Sequence, residues 1–262
     1  MLGMNLALAG VVIIGGSMIL AVVALLSTRR MVKMQLSDGH NDIAGFIFAT
    51  VAVVYAVVLG FLVITVWQRF ADAENAVTSE AASLVAVFRD TQTFPQPYRD
   101  EAQAALRNYA TVVPASEWPT HGTLRPHTTP DPLNAVWNVV RAIKPATPEA
   151  ESDLDQAKEH LSTLELMRHQ THLASEGTVP GIFWGLLIAG GVVTVGFTCF
   201  FHLENVRVHA IMIAILAGGI AGLLFGVLAL DRPFTGAIHI SDYPFQHALQ
   251  QFVALNDGST MP

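Results

Sequence analysis

Four long stretches of this chain carry no Asp, Glu, Lys or Arg, and they constrain the fold more than any other feature. They are Leu2 to Thr28, Ile43 to Gln68, Thr178 to Leu203 and Val208 to Leu230. Each reaches the length of about 20 apolar residues that a helix needs to cross a hydrocarbon core. Only 13% of the residues are charged, against roughly 25% in soluble domains. The sequence therefore predicts an all-α integral membrane protein with four transmembrane helices.

The spacing of these stretches divides the chain into four parts. Residues 1–68 hold transmembrane helices one and two, and residues 179–230 hold helices three and four. Residues 69–178 form a predicted extramembrane helical bundle, inserted between helices two and three. Residues 231–262 form a predicted interfacial segment and C-terminal tail. The insertion carries nine basic and fifteen acidic residues, and an acidic domain disfavours nucleic acid as a partner.

The helical pattern predicts that the second span continues into the insertion. No Gly or Pro occurs between Phe61 and Phe94, and apolar residues recur at helical spacing until about Asp90. Proline after Phe94 then ends the helix. Three further helices are predicted over residues 98–113, 133–143 and 149–176. Their apolar stripes predict a bundle with antiparallel stalk helices.

Positive charge beside the spans predicts the orientation. Arg29, Arg30 and Lys33 follow the first span, and Arg207 lies between spans three and four. Because short loops rich in Lys and Arg stay in the cytoplasm, the insertion and both termini are predicted to be extracytoplasmic. The expected location is the plasma (inner) membrane, as a multi-pass protein. Lys and Arg following the first span also favour a retained helix over a cleaved signal peptide.

No enzyme motif is present, and we expect neither catalysis nor a cofactor. The sequence has no phosphate-binding glycine loop, no HExxH and no nucleophile elbow. Glu165, His169, His172 and Glu176 share one helical face, where such side chains can bind a divalent ion. No second helix offers a matching pattern, so a solvated face is preferred and no metal site is predicted. The single cysteine, Cys199, is interpreted as an apolar filler.

Two charged residues fall on or beside the apolar stripes of the stalk helices. Glu80 lies on the first stalk helix and Arg168 on the last. A charge within a packed stripe is costly unless it is paired, so one interpretation is a buried Glu80–Arg168 pair that fixes the helix register. The alternative is that both side chains extend to water.

The spans themselves lack charged groups, which counts against proton-coupled pumps and many transporters. A channel remains compatible, because pores can be lined by apolar, hydroxyl and backbone groups. Glycine pairs in the spans indicate close helix packing, within the bundle or between subunits.

The segment after the fourth span has a distinctive sequence. Asp231, Arg232, Pro233, Phe234 and Gly236 follow one another around Thr235. Because proline cannot continue a helix, the chain is predicted to turn back and brace the stalk helices. A last amphipathic helix is predicted to begin after a Ser-Asp cap and to run through residue 252.

Several motifs together resemble the bestrophin-like domain family, a group of bacterial membrane proteins. The second span reads Tyr-Ala-Val-Val-Leu-Gly-Phe from Tyr55 to Phe61, followed by Trp67 and Glu80. Glu-Trp-Pro around Trp118, Arg168 and the Asp231-to-Gly236 motif complete the resemblance, which covers nearly the whole chain.

The family is distantly similar to bestrophins, which are oligomeric anion channels with four membrane helices per subunit. The resemblance implies a homo-oligomer in which span two lines an ion path. Candidate pore residues are then Thr50, Tyr55, Phe61 and Thr65. Bestrophins keep their large helical domain in the cytosol, whereas the charge pattern here favours the outside.

Two functions are compatible with these features. The first is an oligomeric ion channel or channel-like protein in contact with membrane lipid. The second is a non-conducting sensor or scaffold whose helical extramembrane domain binds a ligand or a partner protein. Such a sensor would need a partner membrane protein, because the short loops are too small to be a catalytic output.

Overall fold

The computed structural model describes residues 6–31, 38–118, 131–176, 179–201, 203, 205–234 and 238–257. In this part of the chain all regular secondary structure is helical. The α-helices, in chain order, are α1 (Leu6–Met31), α2 (Asp38–Asp90), α3 (Tyr98–Val112), α4 (Leu133–Ala142), α5 (Pro148–Glu176), α6 (Gly181–Thr198), α7 (Val206–Leu230) and α8 (Tyr243–Asn256). Short 3-10 and π-helical turns follow α2 and α3. Four of the helices, α1, α2, α6 and α7, are long and apolar enough to cross a membrane.

Local sequence explains where α2 ends. Phe94 has an extended backbone conformation, as expected for a residue that precedes a proline. The predicted end of this helix at Asp90 agrees with the structure, and the predicted bounds of α3, α4 and α5 agree to within one residue. The last helix differs, because α8 continues four residues beyond Phe252 to Asn256. Its start lies at the predicted Ser-Asp pair, where the Tyr243 N–H donates to Ser241 Oγ at 3.1 Å, whereas the side chain of the N-cap residue Asp242 accepts no capping hydrogen bond.

The chain separates into two compact units. The first contains residues Met1–Gln68 and Thr178–Asp231, and the second contains Arg69–Gly177 and Arg232–Pro262. We call them unit 1 and unit 2. The long helix α2 contributes residues to both units. The segment after α7, predicted as a separate tail, is grouped with unit 2 from Arg232 onward.

Unit 1 contains the apolar helices. α1 packs along α7, and α6 also contacts both. Leu25 of α1 is fully buried against a cluster that includes Ile213 and Cys199. Near these residues, Arg29 Nη2 donates to the Leu203 carbonyl at 2.7 Å and lies 3.1 Å from His209 Nδ1. These contacts tie the end of α1 to the start of α7.

Unit 2 is a helical bundle with one extended apolar core. The predicted stripe residues of α2 and α5 lie in this core, among them Leu84, Phe88, Leu161 and Leu164. Helices α3, α4 and α8 complete it. Phe252 of α8 stacks on Phe88 with ring centroids 3.9 Å apart and the planes nearly parallel. The core thus combines helices that are far apart in the sequence.

Candidate functional site

One face of α2 within unit 1 is exposed from Phe46 to Thr65. Phe46, Thr50, Val57, Phe61 and Thr65 recur at helical spacing on this face, and all are exposed. Both aromatic rings on this face are largely accessible, at 78% for Phe46 and 69% for Phe61. The face therefore contains three of the four predicted pore residues: Thr50, Phe61 and Thr65.

The two threonine hydroxyls of this face bond to their own helix. Thr50 Oγ1 donates to the Phe46 carbonyl at 3.1 Å, and Thr65 Oγ1 donates to the Phe61 carbonyl at 2.8 Å. Such bonds use the hydroxyl proton and leave oxygen lone pairs directed outward. Because no Asp, Glu, Lys or Arg lies between Ile43 and Gln68, the face is apolar apart from weak hydroxyl acceptors.

Tyr55, the fourth predicted pore residue, lies elsewhere on α2. Its hydroxyl donates to the Leu187 carbonyl of α6 at 3.1 Å. A Cβ added at Gly190 would lie only 2.5 Å from the Tyr55 ring, so the ring rests directly on the backbone of α6. The structure therefore places Tyr55 in the packing between α2 and α6. The Gly190–Gly191 pair of the sequence makes this close approach possible.

In unit 2 the structure brings Glu80 and Arg168 together. Both side chains are buried, at 1% and 6% exposure, and Arg168 Nη1 lies 3.9 Å from Glu80 Oε1. Tyr109 of α3 joins them, since its hydroxyl donates to Glu80 Oε1 at 2.5 Å and accepts from Arg168 Nη1 at 3.2 Å. The guanidinium also lies over the Tyr109 ring, 5.2 Å from its centroid.

Asp131 extends this cluster toward the surface. Its Oδ2 accepts from Arg168 Nε at 3.3 Å, and its Oδ1 accepts from the Leu133 N–H at 3.0 Å. The second bond caps the start of α4, where unpaired backbone N–H groups favour a carboxylate. Arg168 therefore connects two carboxylates of different exposure, one deeply buried and one 44% exposed.

Burial and charge act together on Tyr109. Burial is the main reason that its pKa is raised well above the ordinary value, and the Glu80 carboxylate adds to the increase. Arg168 opposes both effects. The hydroxyl therefore remains protonated and can donate to Glu80.

Two residues of this cluster, Tyr109 and Asp131, were not predicted from the sequence. Tyr109 lies on the buried stripe of α3, together with Leu106 and Ala102. A tyrosine in an apolar stripe needs a partner for its hydroxyl. The position of Tyr109 could therefore have indicated a buried polar partner. Asp131 lies two residues before the first residue of α4, where an acidic side chain can accept from an unpaired backbone N–H of the first turn.

The motif after α7 is divided between the two units. Asp231 Oδ1 accepts from the Val179 N–H at 2.8 Å, next to the start of α6 in unit 1. Arg232 is exposed, while Pro233 and Phe234 are buried in unit 2. Gly236 lies outside the described residues.

Phe234 packs against Trp118, with ring centroids 5.4 Å apart. Phe245 of α8 lies 5.8 Å from the same Trp118 ring. Within the connection between α7 and α8, the Ile240 N–H donates to the Pro233 carbonyl at 2.8 Å. The two aromatic rings that contact Trp118 thus both belong to the part of the chain after α7.

The face of α5 that carries His169 and His172 is where the sequence would allow a divalent ion. Among the described residues, no group of three or more His, Cys, Asp or Glu is arranged to hold a metal ion. The side chain of Glu176 lies outside the described residues. Cys199 is buried in the packing of α1, α6 and α7.

Comparison with known proteins identifies this fold. A bacterial bestrophin homologue from Klebsiella pneumoniae, solved as a crystal structure with one mutation, superimposes with a TM-score of 0.69. The match covers 96% of this chain and 100% of that chain, at 11% sequence identity. No curated protein matches the sequence. With four apolar helices and this fold, the chain is a multi-pass membrane protein.

The family assignment follows from the sequence itself. The model of the Bestrophin-like domain family matches residues 15–245. The chain therefore belongs to the Bestrophin-like family, as the resemblance predicted. This membership and the apolar helices are compatible with a channel-like membrane protein.

Proposed function

We propose that this protein is a subunit of a homo-oligomeric ion channel, in which the exposed face of α2 lines the ion path. The observation that carries the proposal is the uninterrupted exposure of Thr50, Phe61 and Thr65 on one face of an apolar helix. Lipid can cover an apolar face, but it does not require aligned hydroxyls. Several copies arranged around an axis would bring these faces together.

The chemistry of this face suggests how the path would work. Threonine oxygens supply weak, uncharged contacts, while rings of apolar side chains form constrictions that gate by dewetting. Phe61 is the largest exposed side chain among the pore candidates and is the proposed constriction. Tyr55 is proposed to act indirectly, by holding α2 against Leu187 and Gly190 of α6.

We further propose that unit 2 is an extramembrane bundle, most of which is inserted between the second and third spans and the rest of which follows the fourth span. Its apolar core and acidic surface suit water rather than lipid. The charge bias of the short loops supports an inner-membrane location, with this bundle and both termini outside the cytoplasm. We propose the same domain bounds as predicted, with the insertion at residues 69–178 and the tail at residues 231–262.

Planar-bilayer recording of the purified protein tests the channel. Native mass measurement should give a homo-oligomer, and Phe61→Ala should increase its unitary conductance by widening the constriction. Ile215→Ala, at an exposed apolar position of α7 with 65% accessibility, is the matched control and should leave conductance unchanged. A homogeneous oligomer without any conductance would exclude the channel.

A sensor or scaffold is the second candidate, and the continuity of α2 favours it. This helix runs unbroken from Asp38 to Asp90 through residues of both units, which suits the relay of a signal. Isolation of a stable complex with a different membrane protein, combined with absent conductance, would favour this function.

A further inference from the structure

Unit 2 has an open groove of about 630 Å³ beside α2. The α2 wall of the groove is formed largely by small side chains, including Ala82 and Ala86. Tyr243 and other residues at the start of α8 form the opposite wall. Glu74 lines the groove near one end of this α2 segment and Arg89 near the other. Because the side chains of its α2 wall are small, the groove has room for larger apolar side chains that project from another helix.

A ridge on α5 has complementary features. Leu166 and Leu173 are 53% and 56% exposed, although most of their neighbours on this surface are polar. Glu159 precedes Leu166 by two helical turns and is exposed on the same face. The face lies opposite the buried stripe of α5 that contains Leu161 and Leu164. The ridge of Glu159, Leu166 and Leu173 therefore points away from the core.

Two contacts determine how the groove on α2 and the ridge on α5 are aligned along the helix axes. His160 Nδ1 lies 2.6 Å from Asp90 Oδ2, and Arg168 pairs with Glu80. The α2 segment from Glu80 to Asp90 therefore runs antiparallel beside the α5 segment from His160 to Arg168. In this register Ala82 lies level with Leu166, and Arg89 lies within about one helical turn of Glu159.

We infer that the α5 ridge of one copy occupies the groove of the next copy around the ring. This inference rests on the proposed homo-oligomer. If the ring axis is parallel to these helices, neighbouring copies are not shifted relative to one another along that axis. Leu166 then meets Ala82, and Glu159 meets Arg89 with opposite charge. Because ridge and groove are different surfaces, the contact is head-to-tail, and such a contact forms a ring when the rotation between neighbouring copies closes.

Disulfide cross-linking in native membranes tests this contact. In a background that carries Cys199→Ala, Ala82→Cys is placed in copies with one tag and Leu166→Cys in copies with another. A disulfide requires Cα atoms within about 7 Å, so the mixed cross-link should exceed that of a control pair by about tenfold. The control combines Ala82→Cys with Glu165→Cys, which lies at the same level but about 100° around α5.

Charge reversal provides an independent measurement. Arg89→Glu should weaken assembly by about fivefold in native mass measurement, and adding Glu159→Arg should restore it. An oligomer that conducts ions but gives no excess cross-link overturns this contact and leaves the channel intact. A protein that remains monomeric in membranes overturns both the contact and the proposed function.

Discussion

The hydroxyl of Tyr109 donates a hydrogen bond of 2.5 Å to the carboxylate of Glu80 inside the core of unit 2. Both side chains are at most 1% exposed. Because a buried carboxylate is costly without compensation, this bond and the nearby Arg168 guanidinium determine whether Glu80 is tolerated. The stability of the bundle should therefore depend on all three side chains together.

We predict that Glu80→Ala lowers the free energy of unfolding by about 3 kcal/mol, because it leaves a buried guanidinium without its carboxylate. The loss should lie at the lower end of the range for buried pairs, since Asp131 still accepts from Arg168. Combining Glu80→Leu with Arg168→Met should recover much of it. Chemical denaturation in detergent, followed by circular dichroism, measures the differences.

Asp72→Ala is the matched control for this prediction. Asp72 is also an acidic residue of α2 in unit 2, but it is exposed, so its removal should change the free energy of unfolding by less than about 0.5 kcal/mol. Equal stabilities of the single and double variants at Glu80 and Arg168 would rule out an energetic role for the pair.

Tyr109 should make the stability of the bundle sensitive to alkaline pH. Its folded pKa is raised above the ordinary value of 10.0, mainly by burial. Above pH 10 the unfolded chain therefore releases this proton while the folded chain retains it, so stability falls as pH rises. We predict that wild type has the larger unfolding free energy at pH 9, and that its advantage over Tyr109→Phe decreases between pH 9 and about pH 11. A constant difference over this range would contradict the assignment.

Gly190 should be intolerant of even the smallest side chain. An alanine Cβ there would lie 2.5 Å from Cδ2 and 2.7 Å from Cε2 of the Tyr55 ring. We predict that Gly190→Ala destabilises the protein by about 1–3 kcal/mol, because α2 and α6 must separate. Gly196→Ala on the same helix meets nothing within 4 Å and is the control. Thermal unfolding in detergent measures both, and equal melting temperatures would show that the contact is dispensable.

Much of this fold follows from periodic patterns in the sequence. The four charge-free stretches predict α1, α2, α6 and α7, because lipid exposure requires apolar side chains all around a helix. In α2 and α5 the apolar stripe continues through Leu84 and Leu161, so helix and buried face could both be read from spacing. The extension of α8 to Asn256 was missed because polar contacts hold its end. Asn256 donates to Gln103 and accepts from Gln92, and spacing along one helix does not reveal such partners.

The candidate site is less predictable for the same reason. The proximity of Glu80 and Arg168 was proposed because two antiparallel stripes each contain a charge. Tyr109 belongs to a third helix, and only the packing of α3 places its hydroxyl between them. The position of Tyr55 also depends on tertiary contact, since its place on α2 is compatible with either a pore or a helix interface until Gly190 is located.

Membrane topology is the next prediction. A reporter enzyme fused at His121, which lies outside the described residues, should be active only outside the cytoplasm. The same reporter fused at Asp38 should be active only inside. These outcomes follow from the positive charge of Arg29, Arg30 and Lys33, which favours a cytoplasmic first loop. The opposite pattern would agree with the cytosolic domain of bestrophins and would overturn the predicted orientation.

The last prediction concerns the segment that follows α7. Pro233 and Phe234 are buried, and Phe234 contacts Trp118. Further along, Phe245 and Phe252 are at most 1% exposed in the same core. We therefore expect truncation after Thr235 to expose a large apolar surface of unit 2, since it removes both rings. The truncated protein should lose its oligomeric assembly and aggregate, as measured by native mass and size-exclusion chromatography.

Smaller changes test whether this segment braces the bundle. Phe234→Ala should lower the free energy of unfolding by about 3–5 kcal/mol, as for other buried aromatic residues. Pro233→Ala and Gly236→Val should disturb assembly more than Val12→Ala, at an exposed position of α1. Limited proteolysis with chymotrypsin gives a complementary measurement, because the Phe234 ring that this protease would recognise is buried. Cleavage after Phe234 should be slow while the bundle is folded. Rapid cleavage there, together with intact assembly after truncation, would show that the segment is a dispensable tail.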